Sequence, residues 1–218
     1  DIFFECTGKH TISNKNNKVL KKNTKLVMIS ATSWDCDKTI VYGFNHKEFD
    51  DSFKTISYGS CTVNAFVPLA NWVNKRYGIQ DSDVNVIHNI QEYRVKDNNT
   101  LIRKFCTLEK SAVLLLDFVK PNNFNVNYTV IPYTGVSMID FRFRVDKDVN
   151  EKMVSEDLEK ATSSSDLVGL YDLDDVDVGP EIYNCTPFST VFIKEGIRCL
   201  NGNIYLRGYF DNENSVNR

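Results

Sequence analysis

The stretch Ile139-Asp140-Phe141-Arg142-Phe143-Arg144-Val145 alternates apolar and charged side chains without a break. Successive side chains of a strand point to opposite faces, so this period of two predicts a β-strand with one face buried and the other in water. Upstream, Asn125–Tyr133 sets Val126, Tyr128 and Val130 against Asn125, Asn127 and Thr129 in the same way. Downstream, Thr190–Cys199 and Asn203–Phe210 flank Asn201-Gly202, a pair whose tolerance of positive φ suits a two-residue hairpin turn. Leu26–Thr32, Thr39–Phe44, Val84–His88 and Val113–Val119 are short β-branched or aromatic runs. Glu92–Lys96 and Leu101–Thr107 enclose the turn-forming Asp97-Asn98-Asn99 and read as a further hairpin.

Two segments carry helical signals. In Pro68–Tyr77 the residues Leu69, Trp72, Val73 and Tyr77 share a face; Pro68 suits a first helical position and Gly78 a C-terminal stop. Asp148 to about Ala161 opens with Asp148-x-x-Glu151, a capping-box variant, and its apolar face is Val154, Leu158 and Ala161. Strands outnumber helices and no strand–helix–strand rhythm is visible. The expected fold class is therefore all-β, a mainly antiparallel β-sandwich or up-and-down barrel with two short peripheral helices. It would form one domain over residues 1–218, with a subdivision near 146–150 as the one alternative.

Composition bounds the function. Hydrophobic residues make up 42% of the 218, enough to build a core. The net charge of -3 argues against a nucleic-acid partner, which demands excess cation. No apolar run reaches the roughly 18–20 residues that cross a bilayer. Charge is unevenly spread: six lysines and no acid lie between Lys9 and Lys25, and twelve acids against three lysines between Asp146 and Glu181.

Cys6, Cys36, Cys61, Cys106, Cys185 and Cys199 are even in number and lack a C-x-x-C pair, which suits three disulfides, with Cys185–Cys199 the expected pairing. Sequons at Asn98, Asn127 and Asn184 add a glycosylation signal. Together with a start at Asp1, these features predict the ectodomain of a secreted, virion or cell-surface glycoprotein.

Catalytic motifs are scarce. His10, His46 and His88 have no helical metal-ligand spacing, no G-x-S-x-G elbow exists, and Ser60 sits in an uninformative Gly59-Ser60-Cys61. Cys36 lies between two aspartates, which would hold its thiol protonated. Asp172-Leu173-Asp174-Asp175-Val176-Asp177 fails as a calcium loop, since Asp177 stands where glycine is needed. No dinucleotide fingerprint or P-loop appears. The sequence thus predicts no catalytic, cofactor or metal residue, and no enzyme.

In composition alone (Asn-, Lys- and Asp-rich, with cysteines and sequons) the chain resembles secreted viral immune-evasion sandwiches, viral surface glycoproteins and arthropod salivary barrels. That resemblance implies host interaction through an extracellular protein partner. Asp172, Asp174, Asp175 and Asp177 are the candidate docking residues, because dense carboxylates favour a basic partner and the intervening aliphatics give it something to bury. The alternatives are a lipocalin-type carrier of a small apolar ligand and an extracellular hydrolase.

Overall fold

In a computed structural model of the chain, residues 1–16, 18–90, 102–132 and 135–217 are described. The elements run β1 (Ile2–Glu5), α1 (Ser13–Asn16), β2 (Leu26–Ile29), β3 (Lys38–Thr39), β4 (Thr55–Ser57), α2 (Cys61–Tyr77), β5 (Ile79–Asn89), α3 (Leu108–Leu115) and β6 (Phe124–Ile131). They continue with β7 (Val136–Val145), α4 (Glu151–Ser164), β8 (Tyr171–Asp174), β9 (Thr190–Ile193), β10 (Arg198–Leu200) and β11 (Asn203–Asp211).

Two sheets form. The first is parallel, in the order β1-β2-β4-β3. The second is mixed, in the order β6-β5-β7-β11-β9-β8, with β10 hairpinned onto β11 through Asn201-Gly202. In it β5–β6 and β8–β9 are parallel and the ladders around β7 and β11 antiparallel. The expectation of an all-β sandwich or barrel is therefore corrected to a mixed α/β architecture with two open sheets.

The alternation in β7 is real: Phe141 and Phe143 are buried, while Arg142 reaches Asp81 and Asp83 on β5 at 2.7 and 2.5 Å and Arg144 reaches Asp81 at 2.6 Å. What covers the apolar face is a helix, not a second sheet. A period of two reports only that one face is buried. Phe66 of α2 lies 5.0, 6.3 and 6.0 Å from the rings of Phe124, Phe141 and Phe143.

Several boundaries move for identifiable reasons. The expected helix at Pro68 starts seven residues earlier, capped by Ser60, whose Oγ accepts from Val63 N at 3.3 Å. It is central rather than peripheral, with most of its 17 residues buried. The second expected helix is capped by Asn150, not Asp148, with Met153 N donating to Asn150 Oδ1 at 2.9 Å. The run placed as a strand at Val113–Val119 overlaps α3, where Leu108 and Ala112 face the core one helical turn apart. The Lys9–Lys25 stretch joins two parallel strands, so it is a crossover. Of the expected 92–107 hairpin, the tip lies outside the described residues, and 102–107 runs as irregular chain with Lys104 N donating to Tyr128 O at 2.9 Å.

The disulfide expectation is also corrected: Cys6, Cys36, Cys61, Cys106, Cys185 and Cys199 are all free thiols. The favoured pair is far apart. Cys185 N donates to Asp211 at one end of β11, whereas Cys199 pairs with Ile204 near the other end. Seven residues of strand separate those positions, roughly 24 Å at about 3.4 Å per residue, against the 4.4–6.8 Å between Cα atoms that a disulfide spans.

A buried proline inside α2 demands compensation. Pro68 has no N–H, so Asn64 O loses its helical partner. Tyr171, fully buried on β8, fills the gap: its hydroxyl shares its proton between Asn64 O (3.1 Å) and Ala65 O (3.0 Å) and accepts from Leu69 N (3.1 Å). The Tyr171 ring stacks on Phe192 at 5.3 Å, which fixes the hydroxyl there. Tyr171→Phe keeps the ring and removes the bridge. Because unsatisfied buried groups are left behind, it is expected to destabilise the fold by about 1–3 kcal/mol. Urea unfolding checks this; an unchanged midpoint would show that the kink needs no bridge.

Candidate active site

The first parallel sheet delivers the chain from β4 to the N-terminus of α2, and two residue choices shape that corner. Gly59 has φ +78°, and a Cβ there would lie 2.9 Å from Val63 Cγ1. Ser60 then caps the helix, so Cys61 becomes its first residue. At that position the backbone N–H groups have no helical acceptor and carry the positive end of the helix dipole. The N–H groups of Thr62 and of Cys61 itself favour a thiolate on Cys61.

On the second sheet, β5 ends in His88 and Asn89. His88 Nε2 is 3.3 Å from Cys61 Sγ. Its Nδ1 is 2.6 Å from Asn89 O. A carbonyl oxygen only accepts, so Nδ1 carries the hydrogen and Nε2 presents its lone pair to the thiol. The rings of Tyr128 and Phe210 flank the imidazole at 5.4 and 5.9 Å. Asn89 is held in turn: its N donates to Ser137 Oγ (3.1 Å), Ser137 Oγ donates to Asn212 Oδ1 (2.5 Å), and Asn212 Nδ2 donates to Asn89 O (3.1 Å). On the other side, the fully buried Asn214 donates to Cys61 O (3.1 Å) and Ser189 O (2.9 Å), tying the first turn of α2 to the turn that follows β11.

Burial sets the resting protonation. It pushes the Cys61 thiol up to about 12, helped by the neighbouring Cys106 and opposed by the helix N–H groups. Burial also holds His88 below its ordinary value, against the pull of the Asn89 carbonyl. The pair therefore rests as thiol and neutral imidazole, a nucleophile beside its base.

No protein-family model matches the chain. The chain is similar to glyceraldehyde-3-phosphate dehydrogenases. That of Zymomonas mobilis is 26% identical over an alignment of 228 positions, covering 98% of this chain and 67% of the relative. One from Bacillus cereus is 27% identical, covering 98% and 68%. That of Lactobacillus delbrueckii subsp. bulgaricus is 40% identical over 88 residues, 40% of this chain and 26% of the relative. The chain thus spans about two thirds of the length of the relatives it matches end to end.

These relatives overturn the reading as a secreted or surface glycoprotein that binds a host protein, and with it the carrier and hydrolase alternatives, the expectation of no enzyme and the extracellular location. The carboxylates expected to dock a partner also make bonds within the fold. Tyr183 OH donates to Asp174 (2.8 Å), Tyr209 OH donates to Asp177 (3.0 Å), Asp172 Oδ1 accepts from Leu173 N (2.9 Å), and Asp175 lies 3.7 Å from Lys194 Nζ. Asn127 and Asn184 are exposed, and Asn98 lies outside the described residues. From sequence, Cys61 reads as a disulfide partner and His88 lacks any metal-ligand spacing. The available signal was Gly59-Ser60-Cys61 leading into the helical run Val63, Phe66, Val67, Ala70, which places a thiol on a capped helix N-terminus.

With a thiol this strongly held in its protonated form, alkylation of Cys61 by iodoacetamide should still accelerate between about pH 7 and about pH 10, because only the thiolate reacts. Peptide mapping of the alkylated site over that range checks this; a rate already level by about pH 7 would mean that the helix dipole and not burial governs the thiol.

Proposed function

We propose that this chain carries the thiol half of a glyceraldehyde-3-phosphate dehydrogenase-like reaction, in which Cys61 adds to an aldehyde and His88 moves the proton. The observation that supports this is the 3.3 Å approach of Cys61 Sγ to the lone pair of His88 Nε2 at the N-terminus of α2. The relatives' name makes glyceraldehyde 3-phosphate the first aldehyde to test.

The step balances with the chain's own groups. His88 Nε2 takes the thiol proton as sulfur attacks the carbonyl carbon, the S–C bond forms, and the C=O π pair moves onto oxygen. Imidazolium then returns the proton to that oxygen, leaving a thiohemiacetal. The N–H groups of Cys61 and Thr62 favour the anionic sulfur during the attack, and the Asn89 carbonyl stabilises the transient imidazolium through Nδ1–H.

Oxidation of the thiohemiacetal needs a hydride acceptor, and these residues do not build a dinucleotide cradle. None of the ten glycines stands two positions from another, so the G-x-G-x-x-G turn that lets backbone approach a pyrophosphate is missing from this sequence. The helix after β1 is only four residues long and begins eight residues beyond it. No step is therefore assigned through such a cofactor.

Adding glyceraldehyde 3-phosphate should protect Cys61 from alkylation in the wild type. His88→Asn should slow thiohemiacetal formation by about 10²–10⁴-fold, and Cys61→Ser should abolish it. Because neutral His88 is required, formation in the wild type should fall only as pH drops through the His88 value, below its ordinary 6.5. Competition alkylation followed by mass spectrometry reads all three. Protection that survives in Cys61→Ser at another cysteine, or is indifferent to His88, would refute the assignment.

A further inference from the structure

We propose that Cys106 is the resolving thiol for Cys61: once a hydroperoxide has oxidised Cys61 to a sulfenic acid, Cys106 displaces the hydroxyl and closes a Cys61–Cys106 disulfide. The inference rests on the reading of Cys61 as the nucleophile and assigns the site a second, reversible chemistry.

The chain segments around the two cysteines lie side by side. Cys106 Sγ is 3.5 Å from the hydroxyl of Thr62, the residue after Cys61. Thr107 Oγ1 donates at 2.9 Å to Oγ of Ser60, the residue before Cys61. Ser60 and Thr62 hydroxyls are themselves 3.0 Å apart, so a continuous line of side chains joins Thr107, Ser60, Thr62 and Cys106 across the start of α2 and the lead-in to α3. Burial first, and then both thiols, disfavour ionisation of the Tyr128 hydroxyl.

Their accessibilities differ in the useful direction. Cys61 is half-buried, while Cys106 is only 3% exposed. An oxidant therefore meets Cys61 first, and Cys106 is reached through it. The other thiols belong elsewhere: Cys6 is an exposed residue just after β1, Cys36 hydrogen-bonds near Ser33 and Thr39, Cys185 lies against Asp211 and Cys199 opposite Ile204.

The electrons balance. His88 accepts the Cys61 proton, the thiolate attacks the peroxide, the O–O bond breaks, and the peroxide leaves as alcohol or water while sulfur loses two electrons. The N–H groups at the start of α2 and the imidazolium stabilise the sulfenate, and the imidazolium then returns its proton to the sulfenate oxygen, giving the sulfenic acid. In the second step the S–S bond forms as the S–O bond breaks, and the Cys106 proton leaves with the hydroxyl as water. A thiol reductant returns both cysteines.

The test treats the full chain with about one equivalent of hydrogen peroxide and maps it without reduction. Tryptic peptides 55–75 and 105–110 should appear joined, with a loss of about 2 Da relative to the two free thiols, and dithiothreitol should restore Cys61 alkylation. In Cys106→Ser the joined peptide should vanish, dimedone should trap Cys61 sulfenic acid, and alkylation recovered after excess peroxide should drop by about fivefold or more as Cys61 passes to sulfinic acid. Cys106→Ala, which tolerates burial better than serine, should behave the same. If Cys61 oxidises but recovers equally in wild type and both variants, or pairs with another cysteine, the resolving role is overturned while the nucleophile stands. If Cys61 resists peroxide while another cysteine reacts, both readings fall.

Discussion

Helix α2 must be buried, must contain a proline, and must still aim its first residue at His88. The Tyr171 hydroxyl reconciles these demands by occupying the gap that Pro68 opens among Asn64, Ala65 and Leu69. Without it a buried helix would carry unpaired backbone groups, which cost far more inside a core than at a surface. The bridge also explains why β8, at the far edge of its sheet, matters to the site. It supplies the hydroxyl that bridges the proline gap in the middle of the helix whose N-terminus bears Cys61.

From that helix the site is assembled from both sheets. The parallel sheet ends β4 at the Gly59–Ser60 corner and so fixes where α2 begins. The mixed sheet ends β5 at His88 and Asn89. Neither sheet makes the site alone: Asn89, Ser137 and Asn212 brace His88 within the mixed sheet, and Asn214 ties the turn after β11 to the start of α2 through Cys61 O. The charged outer face of the mixed sheet, with Arg142, Arg144 and Arg207 paired to Asp81, Asp83 and Asp140, lies on the opposite side from this machinery. These pairs keep one face polar while the helices dry the other.

Burial has a chemical consequence. A thiol raised to about 12 beside an imidazole lowered from its ordinary value holds its proton until a reactant arrives. A free thiolate would react with any passing electrophile or oxidant. Here the charge separates only when the imidazolium, the helix N–H groups and the Asn89 carbonyl can share it. The same neighbourhood holds Cys106, which brings redox chemistry within reach of the nucleophile.

The sequence by itself determined the local elements whose periodicity is strong. The β7 alternation, the β10–β11 hairpin at Asn201-Gly202 and the apolar faces containing Trp72 and Leu158 were all legible, because each depends on neighbours a few residues away. Which surface covers β7 was not legible: alternation records that Phe141 and Phe143 are buried and is silent on whether a sheet or Phe66 of α2 buries them. The parallel pairings were hidden for the same reason, since register between β1 and β2 is set by tertiary contact. Nor could six evenly counted cysteines declare themselves free thiols, because pairing depends on the distance that β11 places between Cys185 and Cys199. The site was least legible of all. Gly59-Ser60-Cys61 and His88 stand 27 residues apart and become a nucleophile and its base only because one ends a turn into a helix from the parallel sheet and the other ends a strand of the mixed sheet. Only the packing of those two sheets through α2 decides that a thiol and a lone pair meet at 3.3 Å.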